Sequence, residues 1–523
     1  MLTPMTGYLI LLIFGVIFTG ITVLIHRMDS KRHGNEMTAE KFNTAGRSVG
    51  VGLASASIVA AWTWAATLMM SSSTGYQYGI SGPFWYAAGA TIQILLFAIL
   101  TIHLKRKAPK AHTFLEFIAQ RFDKKNHRLM LVFALGTNVI VTSMIILGGA
   151  ITLHQLTGMN LYLAAFLIPL TFTFYTMIGG LKASFIADYL HTVILFIVLA
   201  IFGVAVYYKF GITNIYEGLR HLPESKQMLT MASVPGLLFG IINIVGNFGT
   251  VFVDQAYWQR AIASTDKAAS KAYLYGGLAW FSIPFAIATI LGVSAAGLGI
   301  AVSSPDSVAP VMASHVLGTA GSLLFIIMLF MAVTSAGSAE LTAVTNIIVT
   351  DIYRHSIHPT ASSEKLLKVS RFITLGFGLA MGLLSILLFY LGISLGFVYM
   401  AMGIFVSAAV IPITLGLTWK RATNKGAFYG TLLGMIGGVF VWVSSAYILT
   451  GHVNIESLGQ LYPMLFGNLA VFIVSGIISI GHSLLSSEEF DFESLKEKFK
   501  SFDEEKGQDQ GQATEEELVW KIN

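Results

Sequence analysis

Four clusters of polar side chains interrupt long apolar runs, and these are the residues whose types and spacing could do chemistry. The densest is 331-MAVTSAGSAELTAVTN-346, which holds Thr334, Ser335, Ser338, Glu340, Thr342 and Thr345. Glu340 is roughly central in its run. An acid at the middle of a membrane helix costs about 2.5–3.5 kcal/mol on insertion scales. Glu340 is therefore expected to handle an ion, a proton or a substrate, the alternative being an acid satisfied by a packing partner. A second cluster, 241-IINIVGNFGTVFVDQAYWQR-260, carries Asn243, Asn247, Thr250 and Asp254 beside Gly246 and Gly249. It reads as an interrupted helix, with Asp254 near one end and able to pair with Arg260. In 179-GGLKASFIADYLHTVILF-196, Asp188 and His191 are three apart and share a helix face. Asp188 could pair with Lys182, and His191 reads as a hydrogen-bonded packing residue. One His and one Asp are too few for a zinc site.

The fourth cluster is 56-SASIVAAWTWAATLMMSSSTGY-76. Its hydroxyls and glycine suit close helix packing. They suit equally a broken helix whose freed carbonyls face a cavity and bind a cation. The second reading puts a break around Ala60 to Ala66. It leaves Ser71 to Thr74 lining an outer vestibule or capping the helix before Gly75.

The elements that must position these side chains follow from composition. Of 523 residues, 55% are hydrophobic and 11% charged, with no cysteine. Soluble domains carry about 25% charged residues, so the chain is an all-α integral membrane protein. Disulfide, thiol and Cys-ligated metal chemistry are excluded. Thirteen apolar runs of spanning length lie between 6–26 and 463–485, and the first is read as a retained helix. Of the 32 Lys and Arg, 29 fall in loops of one side and in the C-terminal tail; only Lys209, Arg220 and Lys226 fall on the other. The positive-inside rule then places the N-terminus outside and the C-terminus in the cytoplasm. The acidic tail is expected to hold a short amphipathic helix near 487–500 followed by disorder. No P-loop, GxSxG or HExxH motif occurs, and no loop is long enough to bury its own core, so no enzyme is expected.

The two candidate interrupted spans are five spans apart, so the second set of five runs opposite to the first, as in many secondary transporters. Here the residues resemble a known family. GGLKASFIADYLHTV, TSAGSAEL with TDIYR, and NFGTVFVDQAYWQR resemble segments of the sodium:solute symporter family, and the resemblance covers nearly all of 1–485. AAWTWAATLMMSSSTGYQYGISGPFWYAAGATIQ resembles its urea and polyamine branch. The resemblance implies a leucine-transporter-type five-plus-five inverted repeat: a leading span and loop (1–47), repeats over 48–210 and 211–418, two trailing spans (419–486) and the tail (487–523). It also implies a sodium site made by the carbonyls of Ala60, Thr63 and Ala332 and the Ser335 hydroxyl. The family usually adds a second hydroxyl where this chain has Ala336. Asp188 matches an acid that serves a second sodium site or the cytoplasmic gate in some members. Sugar-transporting members place a glutamate near Tyr86, which argues against a sugar site. Asn247 and Thr250 align with substrate-facing positions.

The expected function is secondary active symport of a small polar solute across the plasma (inner) membrane by alternating access. Urea is the leading candidate and sodium the leading coupling ion. Proton coupling, to urea or a polyamine, is the alternative, favoured by Ala336 and by a carboxyl at Glu340. A passive channel and a transporter-like sensor rank lower. Trp62, Trp64, Trp85 and Tyr86 are expected to wall the solute site, with Asn243, Asn247 and Thr250 orienting the solute. Asp188, Asp254 and Glu340 are the candidates for a proton or a second ion. Beyond sodium no metal is expected, and nucleic acid is not an expected partner.

Overall fold

The computed structural model describes residues 2–33 and 37–499. The tail beyond 499, where disorder was expected, lies outside the described residues. Among those described, every named element is helical.

The helices used below are α1 (Pro4–His33), α2 (Ala39–Thr44), α3 (Val51–Trp62), α4 (Ala65–Tyr78), α5 (Ser81–Lys107), α6 (Phe114–Arg121), α7 (Lys124–Thr157) and α8 (Leu161–Phe210). They continue with α9 (Val234–Phe252), α10 (Gln255–Ala263), α11 (Asp266–Gly297), α12 (Pro305–Ile357), α13 (Ser363–Tyr390), α14 (Leu395–Thr418), α15 (Asn424–Thr450) and α16 (Leu461–Leu485).

Eleven of the described helices are long and apolar enough to cross a membrane, and α3 with α4 forms a twelfth crossing bent by 61°. Helix α8 has 50 residues, or about 75 Å at 1.5 Å per residue, more than twice a hydrocarbon core of about 30 Å. It is divided at Gly180, whose φ of 57° and ψ of −155° are non-helical. Only glycine takes that conformation without strain, so α8 is two crossings joined by a tight turn. With α8 counted twice, the described residues offer thirteen candidate crossings, as many as the apolar runs of the sequence.

The first and sixth crossings after α1 are both broken. Between α3 and α4 the break falls at Thr63 and Trp64, inside the expected 60–66 window. Thr67 repairs it: its hydroxyl accepts from the Trp64 N–H (3.1 Å) and donates to the Trp62 carbonyl (3.2 Å). Between α9 and α10 the break falls at Val253 and Asp254, and the Asp254 carboxylate caps α10 by accepting from the Ala256 N–H (2.7 Å). Two broken spans five crossings apart, in opposite orientation, are the axis of a five-plus-five inverted repeat.

Three expectations are corrected. Ser71 to Thr74 neither line a vestibule nor cap a helix. They lie inside α4, fully buried, with Ser72 and Thr74 donating back to Leu68 and Ser71 carbonyls. The helix runs on to Tyr78 and ends at Gly79. Small-residue packing explains them: a Cβ on Gly75 would strike the Ala288 carbonyl, and one on Gly292 the Ser72 carbonyl. This face of α4 therefore meets the π-helical turn Ala288–Val293 of α11 backbone to backbone. Near 487–500, instead of an amphipathic α-helix, there is only a 3-10 turn at Glu493–Lys498. The segment before it docks on the basic face, with the Phe490 N–H donating to Lys420 O (3.0 Å) and the Lys107 ammonium 3.2 Å from the Phe492 ring centroid. Finally, His191 is buried but neither ring nitrogen has a hydrogen-bond partner among the described residues; its ring packs edge-on against Phe18 at 4.7 Å.

Candidate functional site

A collapsed cavity, with no room for a water molecule in this conformation, lies beside the first break, lined by Trp62, Trp64, Thr67, Tyr86, Ala90, Asn247, Trp280 and Tyr399. Every lining residue is buried, so these side chains are shut off from solvent. The sequence positions these walls by simple rules. Trp62 and Trp64 flank the break, so their rings emerge where the helix stops and lie edge to face, 4.8 Å apart at 73°. Buried indole N–H groups need acceptors. Trp62 donates to the Ala90 carbonyl (2.8 Å) and Trp64 to the Ala61 carbonyl (2.9 Å).

The amide side of the cavity is a relay between α9, α5 and α14. The Tyr399 hydroxyl donates to Asn243 Oδ1 (2.7 Å), and Asn247 Nδ2 donates to Asn243 Oδ1 (2.6 Å) and to the Asn243 carbonyl (2.7 Å). Asn243 Nδ2 donates in turn to the carbonyls of Tyr86 (2.9 Å) and Trp85 (3.2 Å). Tyr86 stacks on Tyr399 at 5.6 Å. Asn243 is thus behind the wall, holding Asn247 and Tyr399 in place. Trp85 is not at the cavity: its indole N–H donates to the Met231 carbonyl (2.9 Å) at an exposed edge. Thr250 is one turn beyond Gly246, to whose carbonyl it donates (3.3 Å), and is also outside the lining. Trp280, Tyr399 and Thr67 were missed by sequence reasoning, although an indole or phenol in mid-span, which needs a partner or a cavity, is a signal.

A second centre surrounds Asp188. Ser57 of α3 donates to Asp188 Oδ2 (2.5 Å) and Ser335 of α12 to Oδ1 (2.5 Å). The ion partner is Arg260 of α10, 3.2 Å from Oδ2, whose Nε also donates to Ser57 Oγ (3.0 Å). The expected pairings of Asp188 with Lys182 and of Asp254 with Arg260 are both replaced by this one. Arg260, on α10 after the break at Asp254, is buried against Asp188 and Phe185 of α8. Burying a charged pair is tolerable only when hydrogen bonds fill its remaining sites, and the two serines do that. Ala60, Thr63 and Ala332 are buried nearby; the Ala60 carbonyl already accepts the Thr63 N–H (3.2 Å). Ser335 spends its hydroxyl proton on Asp188. Ala336 supplies no hydroxyl.

A third centre joins the remaining acids. Asn138 Nδ2 of α7 donates to Asp254 Oδ1 (2.8 Å) and Glu340 Oε2 (2.6 Å). Both carboxyls are buried and share this one amide donor, and Asp254 Oδ2 has no hydrogen-bond partner among the described residues. Arg260 is committed to Asp188 and Ser57. No group of three or more His, Asp or Glu suited to a metal ion occurs among the described residues.

Comparison with known proteins fits this geometry. The family model for the sodium:solute symporter family matches residues 42–434. The chain belongs to that family. It is 45% identical over 527 residues to a urea-proton symporter DUR3 of Oryza sativa subsp. japonica, covering 95% of this chain and 73% of that protein. It is 38% identical over 517 residues to a urea active transporter of Saccharomyces cerevisiae, covering 94% and 70%. Its fold matches the outward-open structure of a Na+-coupled sialic acid symporter, with a TM-score of 0.69 at 18% identity over 92% of this chain and 98% of that one. The chain is therefore a multi-pass membrane transporter, not an enzyme, and moves a small solute together with a coupling cation.

Proposed function

We propose that this transporter takes up urea with a proton. The cavity carries the reading. It is collapsed in this conformation, and its walls are indoles, phenols and one amide, without a charged side chain. A polyamine would need carboxylates in that lining and far more length; an anion would need cations or helix N-termini. Urea is flat, neutral and offers both donors and acceptors. The names of the rice and yeast relatives support the same substrate.

The coupling ion moves from the sodium expected first to the proton. Two buried carboxyls that share a single amide donor cannot both ionise cheaply, because like charges and desolvation oppose it. Glu340 and Asp254 therefore form a natural seat for one proton, bridged by Asn138. Asp188 is a weaker candidate, since Arg260 and two serines already satisfy its charge. The sodium position keeps a single hydroxyl, Ser335. In this reading the basic face is cytoplasmic, 48–210 and 211–418 are the two repeats, and binding of proton and solute favours closure around the cavity.

Proteoliposomes test it. Radiolabelled urea should accumulate under an inward proton gradient without sodium, a protonophore should abolish the accumulation, and Glu340→Gln should remove its pH dependence. Accumulation driven by sodium alone would return the coupling site to Ser335, and absence of urea uptake under either gradient would overturn the substrate.

A further inference from the structure

We propose that Trp280 donates the hydrogen bond that recognises the solute's carbonyl oxygen, with the Asn247 amide oxygen accepting an N–H from the other end of the solute. The proposal rests on the urea reading above and names the groups that would read it.

The other donors around the cavity already have acceptors. The indole N–H groups of Trp62 and Trp64 are committed to the carbonyls of Ala90 and Ala61. Thr67 donates to the Trp62 carbonyl, Tyr399 to Asn243 Oδ1, and Asn247 Nδ2 to Asn243. Tyr86 turns its hydroxyl toward the Ala66 carbonyl at 3.5 Å. Trp280 alone in the lining holds a buried donor, Nε1–H, with no partner among the described residues. Its ring is 1% exposed and packs 5.9 Å from Trp62. Buried donors are almost always satisfied, and an unsatisfied one needs an explanation. A transport cavity offers one: the donor is held for the cargo. Asn247 fits the complementary role. Its NH2 is fixed by Asn243, which orients Oδ1 as an acceptor, and no hydrogen bond to that oxygen occurs among the described residues.

Sites built to hydrogen-bond a substrate group reject analogues that lack it far better than apolar pockets reject a changed shape. Trp280 is therefore a specificity residue, discriminating urea from thiourea, whose sulfur is a poor acceptor in a similar outline. The test compares uptake of radiolabelled urea and thiourea by wild-type protein and Trp280→Phe in proteoliposomes under the same driving gradient. Loss of one hydrogen bond should raise KM for urea about tenfold while leaving KM for thiourea nearly unchanged, so the preference for urea collapses. An unchanged urea-to-thiourea ratio, whether both rates hold or both fall together, would assign Trp280 to packing and overturn the proposal. Should Trp280→Phe fail to fold, site-specific benzothienylalanine at 280 replaces N–H by sulfur within the same outline and gives the same readout. Wild-type protein that moves no urea overturns the urea reading first, and this inference with it.

Discussion

Trp62 and Tyr257 meet edge to face, their ring centroids 5.1 Å apart and their planes at 83°. Trp62 lines the solute cavity. Tyr257 sits on α10, three residues after Asp254, which caps that helix and shares Asn138 with Glu340. The proposed solute cavity and the acid pair are thus separated by one aromatic contact between the two broken spans. In the proposed mechanism, a shift of α10 on protonation would reach the cavity wall directly, without a long relay. This is a contact through which two ligands can bias one conformational equilibrium.

Asn138 is the residue through which that coupling should be most easily broken. Replacing it by alanine leaves two buried carboxyls without their shared donor, a loss of about 1–3 kcal/mol for each group left unsatisfied. Asn138→Ala is expected to lower urea accumulation driven by a pH gradient by about tenfold or more. Exchange of urea across the membrane at equal pH should persist, because Asn138 does not touch the cavity. Counterflow and gradient-driven uptake measured on the same proteoliposomes separate the two effects. Equal loss of both would mean that Asn138 matters only for folding.

Asp188 and Arg260 make a second prediction, about stability. Both side chains are almost wholly buried, so removing one strands the other as an uncompensated charge, at a cost of about 3–5 kcal/mol. Asp188→Asn and Arg260→Met should each lower the thermal unfolding temperature in detergent substantially. The double variant should be more stable than the sum of the single losses implies, since it strands no charge. Strict additivity in this cycle would show that the pair is not coupled.

How much of this is legible in the sequence depends on what lipid forbids. Polar groups in a span are costly wherever they are, so Glu340, Asp188, Asn243 and Asn247 stand out from the apolar runs around them. Their partners do not. Lys182 is the nearer cation to Asp188 along the chain, and only the folded position of α10 beyond the break at Val253 and Asp254 brings Arg260 to it instead. The first break is legible in place but not in cause: no glycine or proline makes it, and the Thr67 hydroxyl that repairs it looks like an ordinary helical threonine. Trp280 and Tyr399 are illegible for the opposite reason. Aromatic residues in apolar runs are usually core, and only the third dimension shows a cavity beside them.

His112 makes a prediction about pH on the basic face. It is buried between two acids, with Nε2 2.7 Å from Glu40 Oε2 and Nδ1 3.3 Å from Glu116 Oε2. Burial alone would depress its pKa, but the Glu116 and Glu40 carboxylates outweigh it and raise the value above 6.5. For Glu116, burial works upward and His112 outweighs it, so its pKa is lowered from 4.5. A raised histidine stabilises fully below its unfolded value and loses that contribution as pH rises through the folded one. The lowered Glu116 stabilises above its unfolded value and loses the contribution as pH falls through the folded one. Thermal stability should therefore be greatest between about pH 4.5 and 6.5 and decline toward alkaline pH. His112→Gln should flatten the alkaline decline. A decline of the same slope in both proteins would place its origin elsewhere.

The contact between α4 and the π-helical turn of α11 makes the last prediction. A Cβ on Gly75 would meet the Ala288 carbonyl oxygen, with Val293 N at 3.1 Å and Ala288 C at 3.2 Å behind it. These are backbone atoms, which cannot swing aside as a side chain can. Gly75→Val must push the two helices apart, and overpacking of this kind costs about 1–3 kcal/mol or more. The neighbouring Ser72 hydroxyl only loops back to Leu68 O of its own helix (2.9 Å). Ser72→Ala removes that bond without changing the helix separation, so it should be close to neutral. Thermal unfolding of the two variants in the same detergent compares them. If Ser72→Ala were the more damaging, the serines would have a role beyond packing, and the hydroxyl-rich face of α4 would again be a candidate for contact with the solute or ion.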